Sequence, residues 1–265
     1  MRVRITAVGL SGPGLPDWRS SAPVLRGDAV YDPAPYQPSG RSPLVGPERR
    51  RATAVTRLAL EAAMDAAGPD PAAWDVATVF ASSGGEVDTC DVIFDQLSRP
   101  ERVVSPTQFH NSVHNAASGY WGIASGSQRA STSVACFDGT FAAGLLEAAA
   151  LVTADHSDAL LVAYDCPPPD PIRPFRPLLA PFAVALRISP VDASTGLAAL
   201  AIAFDVSGAI QETPVSVAAL EALRAGNPAA RALPLLSAIA AREERVVYLE
   251  CAGPGLLRVQ VAPCL

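Results

Sequence analysis

Cys136 closes a β-rich run, Ser131–Cys136, and stands three residues before Gly139, where an apolar helical stretch begins. A thiol so placed lies near a helix N-terminus, where the macrodipole favours the thiolate and suits a nucleophile. Asp138 argues the other way. Two residues on, it is the natural N-cap, and its carboxylate would take the helix-end donors and disfavour a neighbouring thiolate. Thiol chemistry on carbon–carbon bonds also needs partner groups. The chain has three histidines, His110, His114 and His156, and no lysine at all, which excludes a Schiff-base or P-loop lysine. Cys136 therefore has two readings, an inert buried thiol or a reactive one.

His110 and His114 are spaced i, i+4 and would share one face of a helix. That spacing can bind a metal, but no third ligand is evident, and no metal or cofactor is expected. The pair reads as polar residues hydrogen-bonding in a packed segment, or as contacts in a partner's pocket. Arg49–Arg50–Arg51 falls in the first turn of an expected helix, where the dipole opposes positive charge. It reads as a solvated face, or as a docking spot for an acidic partner. Ser82–Ser83–Gly84–Gly85 lacks the glycine spacing of phosphate-binding loops and reads as a tight strand-to-helix turn. A serine-hydrolase elbow is absent, since GIASG at 122–126 has the wrong spacing.

The elements that must position these residues follow from periodicity and punctuation. Arg2–Leu10 is a first strand, and the Pro-, Gly- and Ser-rich stretch 11–47 reads as a long loop. Pro47 opens a helix that Gly68 ends. Val76–Ser82 is a strand and Val87–Leu97 a helix, and the small residues of 105–126 suit close helix packing. Ser131–Cys136, the helix Gly139–Thr153 and the doubly buried strand Asp158–Tyr164 complete an α/β order. Seven prolines between Pro167 and Pro181 exclude helix and central strand there. Phe182–Ile188 and Leu197–Val206 are strands, two short helices follow at about 217–225 and 229–241, and a hairpin, Arg245–Cys251 with Leu256–Val261, comes last.

The bulk numbers agree with a folded, core-rich chain. Of 265 residues, 49% are hydrophobic and 17% charged, which leaves apolar surface for a partner to cover. A net charge of −6 argues against a nucleic-acid binder. Five scattered cysteines without a CxxC pair read as reduced thiols, and no signal segment or membrane span is evident. The expectation is a cytoplasmic protein.

SPTQFHNSVHNAASGYWGIASG (105–126) and ACFDGTFAAGLLEAA (135–149) resemble the N-terminal half of β-ketoacyl synthases of the thiolase fold. More closely they resemble a short branch of that family, the ketosynthase-like chain-length factors of aryl-polyene pigment clusters. Looser agreement runs from Val3 to Pro190, including ASSGG (81–85) and FAVALRIS (182–189). Cys136, Gly139 and Gly144 match the spacing of the family's nucleophile turn, but counting from Gly119 and Gly126 puts Asp138 there instead. The short branch resembles the second register, with Phe137–Asp138 at the turn. Condensing members also use two histidines and a lysine from their second half, and this sequence has no histidine after 156. The resemblance thus implies an α/β, thiolase-like layered fold with the N-terminal half intact (1–190) and a truncated second half (191–265) that completes the sheet and packing.

The function so implied is a non-catalytic chain-length factor that forms a heterodimer with a full-length β-ketoacyl synthase, in polyketide or fatty-acid-type biosynthesis. Acyl carrier protein would be reached through the complex. Thr107, Gln108, Phe109, His110, Asn111 and His114 would border the partner's acyl tunnel. Two alternatives stand beside this: an acyl-transferring or condensing enzyme using Cys136, and a structural scaffold subunit.

Overall fold

Alternation along the first strand sets the architecture. In β1 (Arg2–Ser11), Val3, Ile5, Val8 and Leu10 are all buried, as befits an interior strand. The computed structural model describes residues 1–205, 211–251, 253 and 255–264. Val206 and two residues of the expected hairpin loop, Ala252 and Pro254, lie outside that range.

Within 11–47, expected to be loop throughout, the structure has a helix, α1 (Trp18–Leu25). Asp17 caps it by accepting from the Ser20 N–H at 2.7 Å, and the helix tolerates Pro23 inside it. The single helix expected from Pro47 to Gly68 is two. A short α2 (Gly46–Arg51) stops at Ala52, and Thr53 then caps α3 (Ala54–Ala67) by accepting from the Thr56 N–H. Arg49–Arg51 thus occupy the last turn of α2, where the dipole favours cations, not a first turn.

β2 (Ala77–Ala81) leads through the Ser82–Gly85 turn into α4 (Val87–Ser98). The segment 105–126 forms α5 (Pro106–Asn111) and α6 (Ala116–Ser125), followed by β3 (Ser131–Val134). A 3₁₀ turn, Phe137–Gly139, then opens α7 (Thr140–Asp155), which precedes β4 (Ala159–Asp165) and β5 (Phe182–Pro190). The remainder is β6 (Ala198–Asp205), α8 (Ala218–Ala225), a 3₁₀ segment at Ala229–Ala232, α9 (Leu233–Ala241), β7 (Arg245–Glu250) and β8 (Leu256–Pro263).

The described strands form one sheet in the order β3-β2-β4-β5-β1-β6-β8-β7. β3, β2 and β4 are parallel, and the other pairings are antiparallel. Each face carries a core. Leu161, Ala163, Val184 and Leu186 face α7 and the helices of the C-terminal part, while Leu160, Val162, Tyr164 and Ala183 face α3 and α6. The sheet curls, so that β7 at its far edge comes against the 3₁₀ turn that follows β3.

Two glycines fix the layers. A Cβ on Gly9 would lie 2.0 Å from the Ala62 carbonyl oxygen, so α3 crosses β1 at a distance only glycine allows. The Asp65 carboxylate on α3 then accepts from the Leu10 and Trp18 N–H groups at 3.0 and 2.7 Å. On the other face, a Cβ on Gly144 would meet Ala81 Cβ at 2.8 Å and Leu161 Cδ1 at 2.9 Å. Gly144 therefore lets α7 lie directly on β2 and β4. Among the described residues, the stretch Phe137–Asp155 alone is helical, long and apolar enough to cross a membrane, and its buried face is this core contact.

Candidate functional site

The chain leaves the sheet at the end of β3 through an elbow, and its apex is Phe137. That residue sits at φ +49°, a left-handed conformation that side chains other than glycine rarely adopt. Thr140 holds the bend: its hydroxyl accepts from the Cys136 N–H at 3.0 Å and donates to the Phe137 carbonyl at 2.6 Å. Asp138 does not cap the helix as its position suggests. Gly139 takes the N-cap place, and the Asp138 carboxylate turns to Arg176, with 2.7 Å between Oδ1 and Nη2. The same guanidinium lies 3.7 Å above the centre of the Phe137 ring, a cation–π stack. One arginine thus braces both residues of the elbow.

Arg176 comes from the proline-rich segment, which is a chain of turns. The N–H groups of Ile172 and Arg173 reach the Pro169 carbonyl, and those of Phe175 and Arg176 reach Ile172. Buried Asn227 fastens both ends of the segment, donating to the Asp165 and Ala180 carbonyls. Beneath the elbow, Glu250 at the end of β7 pairs with Arg231 at 3.5 Å. Glu212 joins Arg231 to Arg224, at 2.9 and 2.7 Å. Burial pushes the Glu250 carboxyl up, and the negative charges of Glu212 and Asp138 add to the push.

Behind the elbow, the ends of β2 and β4 carry a polar floor. Asp165 is fully buried, and its Oδ1 accepts from the hydroxyls of Ser82 and Ser83 and the N–H groups of Ser83 and Gly84, at 2.9–3.1 Å. Burial outweighs those donors and raises its carboxyl to about 6. Burial likewise takes the adjacent Cys166 thiol to about 12, far from a reactive thiolate. Glu86, also buried and raised for the same reason, accepts from the hydroxyls of Thr53, Thr56 and Thr89.

The histidine pair parts company. α5 ends before His114, so the two rings share no helix face. His114 turns inward, with Nε2 2.8 Å from the Ser82 carbonyl and its ring against Gly85. His110 stays exposed and packs edge-on to Tyr120, with ring centroids 6.1 Å apart. His156 caps the opposite end of α7, 3.4 Å from Asp192. Asn111 is also inward, donating to the Arg51 carbonyl and accepting from the Tyr120 hydroxyl. Gln108 accepts from Gln96 at 2.8 Å, tying α5 to α4. Thr107 and Phe109 face out, Phe109 being 70% exposed. With Val113 and Ile123 it lines a groove between α5 and α6, and Phe94 and Leu97 of α4 are exposed as well. Among the described residues no group of three His, Cys, Asp or Glu side chains is placed to hold a metal ion.

Residues 42–246 match the family model described as β-ketoacyl synthase, N-terminal domain. The chain belongs to this family. No curated protein sequence matches it. Among solved structures, a ketosynthase in complex with its chain length factor from Xenorhabdus doucetiae has a TM-score of 0.71 at 21% identity, over 98% of this chain and 99% of that one. The ishigamide ketosynthase/chain length factor has a TM-score of 0.74 at 13% identity, over 100% of both chains. A β-ketoacyl synthase from Burkholderia phymatum STM815 gives 0.59 at 12% identity, over 92% of this chain and 71% of that one. These likenesses establish the thiolase-like layered ketosynthase fold.

In this β-ketoacyl synthase domain the strand before the elbow is a sheet edge. The Ala130 and Val134 carbonyls accept from the Thr78 and Ser82 N–H groups of the β2 side. In a parallel ladder the intervening residues then turn their main-chain groups outward, so Ser131 and Ser133 present theirs to an open edge. The resemblance put Phe137–Asp138 at the turn, but sequence reasoning gave Phe137 no role of its own, because no glycine marks the left-handed apex. It also missed Arg176, 39 residues further along the sequence.

Proposed function

We propose that this domain is a non-catalytic chain-length factor that pairs as a heterodimer with a full-length, catalytic β-ketoacyl synthase. The observation that carries the reading is the open edge of β3, packed beside α6, together with the exposed apolar groove between α6 and α5. A catalytic partner adds its own strand there and covers Phe109, Val113 and Ile123. The solved complex from Xenorhabdus doucetiae, a ketosynthase with its chain length factor, supports this assignment.

The elbow supports the non-catalytic half of the reading. Asp138 is paired with Arg176, His114 is spent on the Ser82 carbonyl, His156 lies at the far end of α7, and no lysine is present. None of the hydrogen bonds or ring contacts of the three histidines involves Cys136, which speaks against activation of the thiol by these rings. Thr107, Gln108, Phe109 and His110 border the partner's acyl tunnel, while Asn111 and His114 hold that segment from behind. Acyl carrier protein engages the complex, in a cytoplasmic pathway of the polyketide or fatty-acid type, in particular aryl-polyene synthesis. The units 1–190 and 191–265 divide the domain into a ketosynthase-like part and a part that completes the sheet and packing.

Co-expression with a full-length β-ketoacyl synthase from the same genome tests the pairing: the two co-elute at micromolar concentration. Ser133→Pro, which removes an outward N–H and leaves the β2 ladder alone, abolishes co-elution. Separate elution of the unaltered chains overturns the proposal. Cys136 is partly buried rather than sealed in the core, and a second reading is that it accepts an acyl group. Cys136→Ala in the paired complex decides between them, since unchanged product flux removes the acyl-transfer reading.

A further inference from the structure

We infer that Phe137 is an anchor residue of the heterodimer, displayed by the elbow for the catalytic ketosynthase to cover; the inference rests on the proposed pairing. Its backbone is held at φ +49° and its ring is 66% exposed. A non-glycine residue in that conformation costs free energy, and burial recovers little of that cost here. Yet the surroundings hold it firmly: Thr140 ties the backbone on both sides and Arg176 covers one ring face. Arg176 is itself fixed by Asp138 and by the turns that Asn227 fastens.

An aromatic ring with few rotamers, pre-set before binding, loses little entropy when a partner closes on it, the usual property of an interface hot spot. Position completes the case. Phe137 follows β3 by three residues, so a strand added to that edge brings the partner alongside the ring's free face. A turn that would aim a nucleophile in an enzyme here aims an apolar side chain. The occupant it fits is an apolar pocket of the paired ketosynthase, next to the added strand.

Binding of the purified chain to its ketosynthase, measured by calorimetry for a set of variants, tests this. Phe137→Ala weakens Kd by about tenfold or more. Arg176→Met, which frees the ring without removing it, weakens Kd several-fold, whereas Phe137→Tyr, which keeps the ring, leaves Kd near the parent value. Phe137→Gly serves as the folding control, because glycine adopts the bend without strain: its Tm stays within about 4 °C of the parent while binding weakens as for alanine. A Kd within about twofold of the parent for both Phe137→Ala and Phe137→Gly, with binding by the parent intact, overturns the anchor role alone. Absence of binding by the parent chain overturns the pairing, and the anchor role with it.

Discussion

The Asp165 carboxylate on β4 accepts the Ser83 hydroxyl at 2.9 Å, joining the end of one buried strand to the turn that leaves its neighbour. Three further donors converge on the same oxygen, and still burial lifts the carboxyl from 3.8 to about 6. Ionisation is therefore harder in the fold than in the unfolded chain. Stability from this group is highest below its unfolded value and falls as pH climbs through the folded one. That difference corresponds to about 3 kcal/mol. Glu86 and Asp65 are raised too and act with the same sign. Thermal melts should accordingly give a higher Tm at about pH 5 than at about pH 7.5, with Asp165→Asn flattening that slope. Asp75 and Glu221 are lowered by their hydrogen bonds, so their opposite contribution is lost only in stronger acid. An Asp165→Asn profile as steep as the parent's would mean that other groups carry the dependence.

Thr140 is expected to be the stability determinant of the elbow. Thr140→Val keeps the shape of the side chain and leaves the Cys136 N–H and Phe137 carbonyl without their partner. The cost is about 1–3 kcal/mol, read as a fall in the urea midpoint at unchanged m-value.

Zinc should not stabilise the chain. His114 points to the Ser82 carbonyl and His110 to Tyr120, so no two-histidine clamp exists. A millimolar excess of Zn²⁺ is expected to move Tm by less than about 1 °C; a rise of several degrees would contradict the separation of the two rings.

In the paired complex, Phe109→Trp should change the length distribution of the products and leave assembly intact. The ring lies exposed on α5 in the segment assigned to the partner's tunnel. Mass spectrometry of products from the reconstituted complex reads this directly, and an unchanged distribution counts against the tunnel role and favours a scaffold.

The sheet was readable in the sequence because its strands are short apolar runs with clear ends: Ala159–Asp165 and Phe182–Pro190 are buried along nearly their whole length. Helix ends were harder. Thr53 caps a new helix inside a run of good helix formers, and Pro23 hides α1 although Asp17 announces it. At the site, residue types pointed to the elbow, but its register did not follow from spacing. The apex depends on a left-handed Phe137, and the fate of Asp138 on an arginine brought in by a distant loop. The inward turn of His114 depends likewise on the glycine at 85, against which its ring packs. Such contacts are tertiary and leave no local signature.

Ser131–Val134 is a flush, neutral edge, with no charge and no proline to blunt it. Proteins that keep such an edge open invite other strands to stack on it. If the proposed pairing holds, chain made in excess of its ketosynthase should self-associate through this edge as its concentration rises, whereas a ketosynthase made alongside would cover the edge as it forms. Subunit dosage, more than intrinsic stability, would then govern how much of the chain stays in solution.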